Sequence, residues 1–85
     1  MKFIFSTHAE IELKRRKIEK ENVANVIKNP QQKFRTNDKW VYQSKYFDVQ
    51  SKKEMLLRVF IKEGMNGLKI ITAYKTSKIK KYWRP

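Results

Sequence analysis

From Glu54 to Lys62 the chain alternates strictly. Met55, Leu57, Val59 and Ile61 point one way and Leu56, Arg58 and Phe60 the other, which is the period of a β-strand. Gly64-Met65-Asn66-Gly67 predicts a hairpin turn, and Leu68 to Lys75 returns from it. Upstream, Lys33–Arg35, Lys39–Gln43 and Lys45–Val49 also read as strands, with turns at Asn37-Asp38 and Ser51-Lys52. The first thirty residues keep a different period. After a short strand at Lys2–Phe5, Thr7-His8-Ala9-Glu10 fits a capping box, with Thr7 as N-cap and Glu10 reaching back. The helix it opens should run to about Arg16. Its apolar stripe, Ala9 and Leu13, is thin, so tertiary packing must hold it. A second helix from about Glu19 carries Val23, Val26 and Ile27 on one face and stops at Asn29-Pro30. Ile18, at the joint, is expected to pack under both.

The order β-α-α-β-β-β-β, with a helical or irregular tail from Ser77 to Trp83, predicts one α+β domain over residues 1–85. The expected architecture is two N-terminal helices on one face of a four-stranded antiparallel sheet, with the short N-terminal strand added. The opposite face is expected to be open. On the last strand, Ile71 and Ala73 should share one face, and Leu68, Ile70, Thr72 and Tyr74 the other. A tight hairpin then sets Arg58 across from Thr72 or Ala73, near Tyr74, and a slip of one residue would undo that convergence.

Composition narrows the classes. Eighty-five residues allow a single core, and 40% hydrophobic residues are enough to fill one. The absence of cysteine excludes disulfides, thiolate zinc sites and thiol catalysis, and a single histidine, His8, excludes a multi-histidine metal site. No cofactor is expected. No apolar run approaches the ~20 residues that cross a bilayer, and the N-terminus lacks the apolar length of a signal peptide. A cytoplasmic protein with no membrane role is the expectation.

Charge changes the picture most. Twenty-one Lys and Arg against eight Asp and Glu give a net charge of +13. The positives gather at Lys14–Lys17 and in the last third, where no acid follows Glu63. Such self-repulsion opposes compaction and is tolerated where a polyanion neutralises it. A nucleic acid or another anionic partner is expected, and if it is RNA, Arg15, Arg16, Lys17, Lys75, Lys78, Lys80 and Lys81 are the residues that would contact its backbone.

Metal-independent RNA cleavage needs a base for the ribose 2′-OH, a donor for the leaving 5′-oxygen and fixed positive charge on the phosphate. Arg58 suits the last role because its planar fork can hold two phosphate oxygens. His8 has the only ordinary side-chain pKa near neutrality, and Tyr74 or Lys75, on the strand that also carries Thr72, could donate a proton or orient the phosphate. Each has a structural alternative. His8 could simply bond the helix backbone, and Arg58 could pair with Glu63 or Asp48. Thr72 and Tyr74 could support the sheet, while Tyr82 and Trp83 could pin the tail. His8, Glu12 and Arg16 lie at i, i+4 and i+8, so they share one helix surface.

These residues carry a resemblance. His8-Ala9, Arg16, Ile18, the Glu21–Pro30 segment, Leu57-Arg58-Val59-Phe60 and Ile71-Thr72-Ala73-Tyr74-Lys75 resemble a family of small bacterial domains. Its pattern is His-Ala-x-x-Arg-x-x-x-Arg-Gly-Ile, a helix ending in Asn-Pro, a sheet and a closing Thr-Ala-Tyr-like strand. That family is similar to the RelE, ParE and BrnT toxins, within the barnase–colicin–RelE group of ribonuclease folds. The resemblance implies a RelE-like fold, RNA cleavage without metal, on the ribosome or off it, and an acidic antitoxin covering the basic face. It makes His8 and Arg16 the helix candidates and Arg58, Thr72 and Tyr74 the sheet candidates. Two positions depart from the pattern. Glu12 replaces the first arginine, and Lys17 replaces the glycine, as though the helix continued one residue further.

Three functions therefore stand side by side: an endoribonuclease toxin of a type II toxin–antitoxin pair acting on mRNA or tRNA, a non-catalytic RNA- or ribosome-binding module, and a ParE-like toxin that binds a protein.

Overall fold

A computed structural model describes residues 2–85. In chain order the elements are β1 (Phe3–Phe5), α1 (Thr7–Arg15), α2 (Lys20–Lys28), β2 (Gln32–Thr36), β3 (Lys39–Asp48), β4 (Lys53–Gly64), β5 (Gly67–Thr76) and α3 (Ile79–Tyr82). The strands form one sheet in the order β1-β5-β4-β3-β2. The expected RelE-like layout, two helices on a four-stranded antiparallel sheet, is thus corrected. The sheet is five-stranded and mixed, because β1 pairs in parallel with β5, Phe3 opposite Leu68 and Phe5 opposite Ile70. Gly67 permits that pairing. Its φ of +124° is open only to glycine, and a Cβ there would lie 2.5 Å from the Lys2 carbonyl oxygen.

The α1 N-cap is Ser6, not Thr7: the Ser6 hydroxyl accepts from the Ala9 N–H at 3.0 Å. The helix also ends sooner than the lysine at position 17 suggests. Ile18 N–H bonds the Leu13 carbonyl and Lys17 N–H that of Lys14, a Schellman ending with Lys17 left-handed at φ 56°. Lys17 therefore occupies a glycine position and carries the strain of a side chain there.

One face of the sheet is covered by α1 and α2. Ala9, Leu13, Val23, Val26 and Ile27 pack with Leu57, Val59, Ile61, Ile70 and Ala73, and Ile18 joins them from between the helices. The other face, expected to be open, is instead crossed by α3 and the residues after it. Between Ile61↔Ile70 and Phe60↔Thr72 the register shifts by one residue, so Ile71 is an extra residue in β5. This bulge corrects the expected faces. Leu68 and Ile70 turn into the helix-side core with Ala73, whereas Thr72 and Tyr74 stay on the other face. It also moves the residue opposite Arg58 from Ala73 to Tyr74.

Candidate nucleic-acid interface

A row of polar residues crosses the sheet beneath the closing segment. Gln32, Gln43, Arg58 and Tyr74 stand directly opposite one another on β2, β3, β4 and β5. Their side chains are joined end to end. Gln43 Nε2 donates to Gln32 Oε1 at 2.7 Å, Arg58 Nε to Gln43 Oε1 at 2.8 Å, and Arg58 Nη1 to the Tyr74 hydroxyl at 2.8 Å. Gln43 is fully buried and Arg58 is 9% exposed. Burying a cation without a counterion is costly unless its donors are satisfied. Here they are met by neutral acceptors alone, since no carboxylate forms an ion pair with Arg58 among the described residues. Glu63 instead accepts from Trp40 Nε1, and Asp48 from Ser51 with Lys75 at 3.7 Å. No buried side-chain N or O lacks a partner among the described residues. Arg58 Nη2 makes no hydrogen bond among those residues, which leaves one cationic donor without a partner beside the Tyr82 ring.

Three successive residues of the closing segment lie on three successive strands. The Tyr82 ring sits 4.3 Å from the Arg58 guanidinium, Lys45 Nζ sits 4.1 Å over Trp83, and the Arg84 guanidinium sits 3.8 Å over Phe34. The polar row holds the backbone between them. Gln43 Nε2 donates to the Tyr82 carbonyl at 3.1 Å, and Gln32 both donates to the Arg84 carbonyl and accepts its N–H. Tyr82 and Trp83 thus pin the tail. Tyr82 also packs edge-on to Tyr74 at 6.2 Å. Hydrogen bonding from Tyr74, then the charges of Lys81 and Arg58, hold its phenol below the ordinary tyrosine range.

The expected helix stripe exists and reaches this face at one point. Glu12 accepts from Arg15 Nε at 2.8 Å and from Arg16 Nη2 at 3.0 Å, and the Arg15 hydrogen bond, followed by the charges of Arg15, Arg16 and His8, pulls its carboxyl below the usual range. Arg16 Nη1 reaches the edge of β5 beyond the short β1, donating to the Ala73 carbonyl at 2.8 Å and the Thr72 hydroxyl at 3.4 Å. His8 is exposed at the start of α1 and touches none of the Arg58 cluster. Lys75 points to the helix side, toward Asp48. Arg15 and Lys17 lie at the α1 end, and Lys78, Lys80 and Lys81 lie on the tail without an ion pair among the described residues. The structure therefore joins Arg58 to Tyr74, sets Thr72 two residues away along β5 on the same face with Arg16 at the edge, and leaves His8 apart.

Gln32, Gln43 and Arg84 carry no mark in the sequence that singles them out as site residues. One signal is available: Gln43 is a lone amide closing an otherwise β-forming run, Trp40-Val41-Tyr42.

A domain-family profile matches residues 5–75. The chain belongs to that family, described as a domain of unknown function, DUF4258. No curated protein and no solved structure matches it. The DUF4258 span contains the whole polar row and ends at Lys75, before α3. No helix among the described residues is long and apolar enough to cross a membrane.

Proposed function

We propose that this DUF4258 protein is a cytoplasmic RNA-cleaving toxin, kin to the RelE, ParE and BrnT toxins and held in check by an acidic antitoxin. One observation carries the reading: a recessed arginine, held by neutral partners and flanked by two tyrosines, keeps one nitrogen free on a chain of charge +13. An arginine with a carboxylate partner would already be neutralised, whereas Arg58 keeps its full charge for an incoming phosphate.

In the proposed reaction the ribose 2′-oxygen attacks the adjacent phosphorus and the bond to the 5′-oxygen breaks. The products are a 2′,3′-cyclic phosphate and a free 5′-hydroxyl. Arg58 stabilises the charge that builds on the phosphoryl oxygens. Tyr82, whose ring lies 4.3 Å from the Arg58 guanidinium, gives a proton to the leaving 5′-oxygen, and water takes the proton from the 2′-hydroxyl. Thr72 and Tyr74 orient the phosphate.

The test is incubation of purified protein with a 5′-labelled RNA in a chelator. We expect fragments ending in cyclic phosphate from the wild type and at least a hundredfold slower cleavage by Arg58→Gln. Equal fragmentation by both proteins would overturn the reading. A second reading is a binding module without catalysis, favoured by the absence of any histidine or carboxylate from the Arg58 cluster among the described residues. It predicts steeply salt-dependent RNA binding with no product.

A further inference from the structure

We propose a second phosphate subsite, resting on the RNA reading above, in the cleft between α3 and the Phe47–Glu54 end of the β3–β4 hairpin. The cleft has a volume of about 600 Å³, and Lys45, Lys78, Lys80 and Lys81 line it against the single carboxylate of Glu54. It takes the RNA phosphate next along the strand from the one at Arg58.

The closing segment is held to the sheet without an ion pair among the described residues. A segment bearing Lys78, Lys80, Lys81 and Arg84 lies on a face that already carries Arg58 and Lys45, cation upon cation. Its attachments are neutral: the amides of Gln32 and Gln43, the rings of Tyr82, Trp83 and Phe34, and the Thr76 hydroxyl, which accepts from the Lys78 N–H at 3.1 Å. These attachments use no carboxylate: Lys45 lies over Trp83 and Lys81 near Tyr82, Lys78 and Lys80 form no ion pair among the described residues, and the charge of the cleft stays uncompensated until a polyanion enters. The like-charge cost of that arrangement in the free protein is offset by bound phosphate and released counterions.

Tyr82 links the cleft to the Arg58 site, its ring 4.3 Å from the Arg58 guanidinium and 5.4 Å from Nζ of Lys81, a cleft residue. A strand whose phosphate meets Arg58 therefore passes the Tyr82 ring, on which a base can stack, and arrives among the lysines.

The experiment is a fluorescence-anisotropy titration of labelled 2′-O-methyl-uridine octamer, which cannot be cleaved, across a range of salt. Four variants are compared: Lys78→Gln/Lys80→Gln/Lys81→Gln, Glu54→Gln, Arg58→Gln, and a distant control, Lys2→Gln/Lys28→Gln/Lys69→Gln. We expect the tail triple to weaken binding about tenfold and to flatten the salt slope by about 0.7 for each phosphate no longer neutralised. Glu54→Gln should tighten binding about two- to threefold, and the control should match the wild type to within about twofold. A tail triple no weaker than the control, while the wild type binds and Arg58→Gln does not, would overturn the subsite and leave the Arg58 reading standing. A wild type that binds no octamer would overturn both.

Discussion

The two faces of this sheet are built from alternate residues of the same strands, yet different chemistry fills them. On the helix side, Leu57, Val59, Ile61, Ile70 and Ala73 are closed off by α1 and α2 with apolar contact. On the tail side the central positions are an amide, a guanidinium and a phenol, and the cover is a short cationic segment held by hydrogen bonds and ring contacts. Apolar burial is non-directional and scales with area, so the helix side supplies most of the stability and specifies little. A satisfied polar row is directional. It fixes the position of Arg58 and the path of the backbone that crosses it. One set of β4 side chains therefore serves packing alone, whereas the other combines packing, at the fully buried Leu56, with the polar row at Arg58.

That division predicts that stability and function can be separated by mutation. The largest effect on stability should come from the helix side. Ile70→Ala, at a fully buried site, should cost about 2–5 kcal/mol in chemical denaturation, with RNA affinity per folded molecule unchanged. Arg58→Met sharpens the contrast. It strands the acceptors on Gln43 and Tyr74 and should cost only about 1–3 kcal/mol, yet remove RNA binding. Gln43→Leu takes away the support without touching the free Arg58 nitrogen. Its cost should be of similar size, about 1–3 kcal/mol. Its distinguishing sign should be faster amide exchange over residues 78–85, since the Tyr82 carbonyl loses its donor.

Smaller effects belong to α1. Lys17→Gly removes the left-handed strain at the Schellman position and should stabilise the fold by about 0.5–1 kcal/mol, read as a rise in melting temperature. Glu12→Gln should destabilise by removing two ion pairs. Because the folded-state pKa of Glu12 is lowered, its stabilisation is fully present above the ordinary glutamate range. It is lost as pH falls through the folded value. Melting curves of wild type and Glu12→Gln should therefore differ near neutrality and converge in acid.

Much of the fold is legible in the sequence because it rests on local signals. The alternation in β4, the hydrophobic stripe of α2 and the turn at Gly64–Gly67 place most elements close to their observed limits. Long-range choices are not legible. Nothing local in Phe3–Phe5 says that it pairs with β5 in parallel, 65 residues away in sequence. Nor does Ile71 announce itself as a bulge, since a β-branched residue suits a regular strand equally well. The candidate site divides the same way. Arg58 and Tyr74 stand out by residue type on strand-forming segments, but the bulge decides that they touch. Gln32 and Gln43 gain meaning only through registers that join three strand pairs. Lys17 shows the same limit at shorter range. A lysine there suits a longer helix, and only the backbone ending from Leu13 to Ile18 reveals a left-handed residue.

The Arg58 guanidinium itself can report whether RNA reaches it. In a proton–nitrogen NMR titration with a short non-cleavable RNA, its Nε–H and Nη–H resonances should shift and saturate with the same affinity as the RNA. Those of Tyr74 and the Gln43 amide should move with them. Shifts confined to Lys14–Lys17 or to the tail lysines, with the Arg58 resonances unmoved at saturation, would contradict the account.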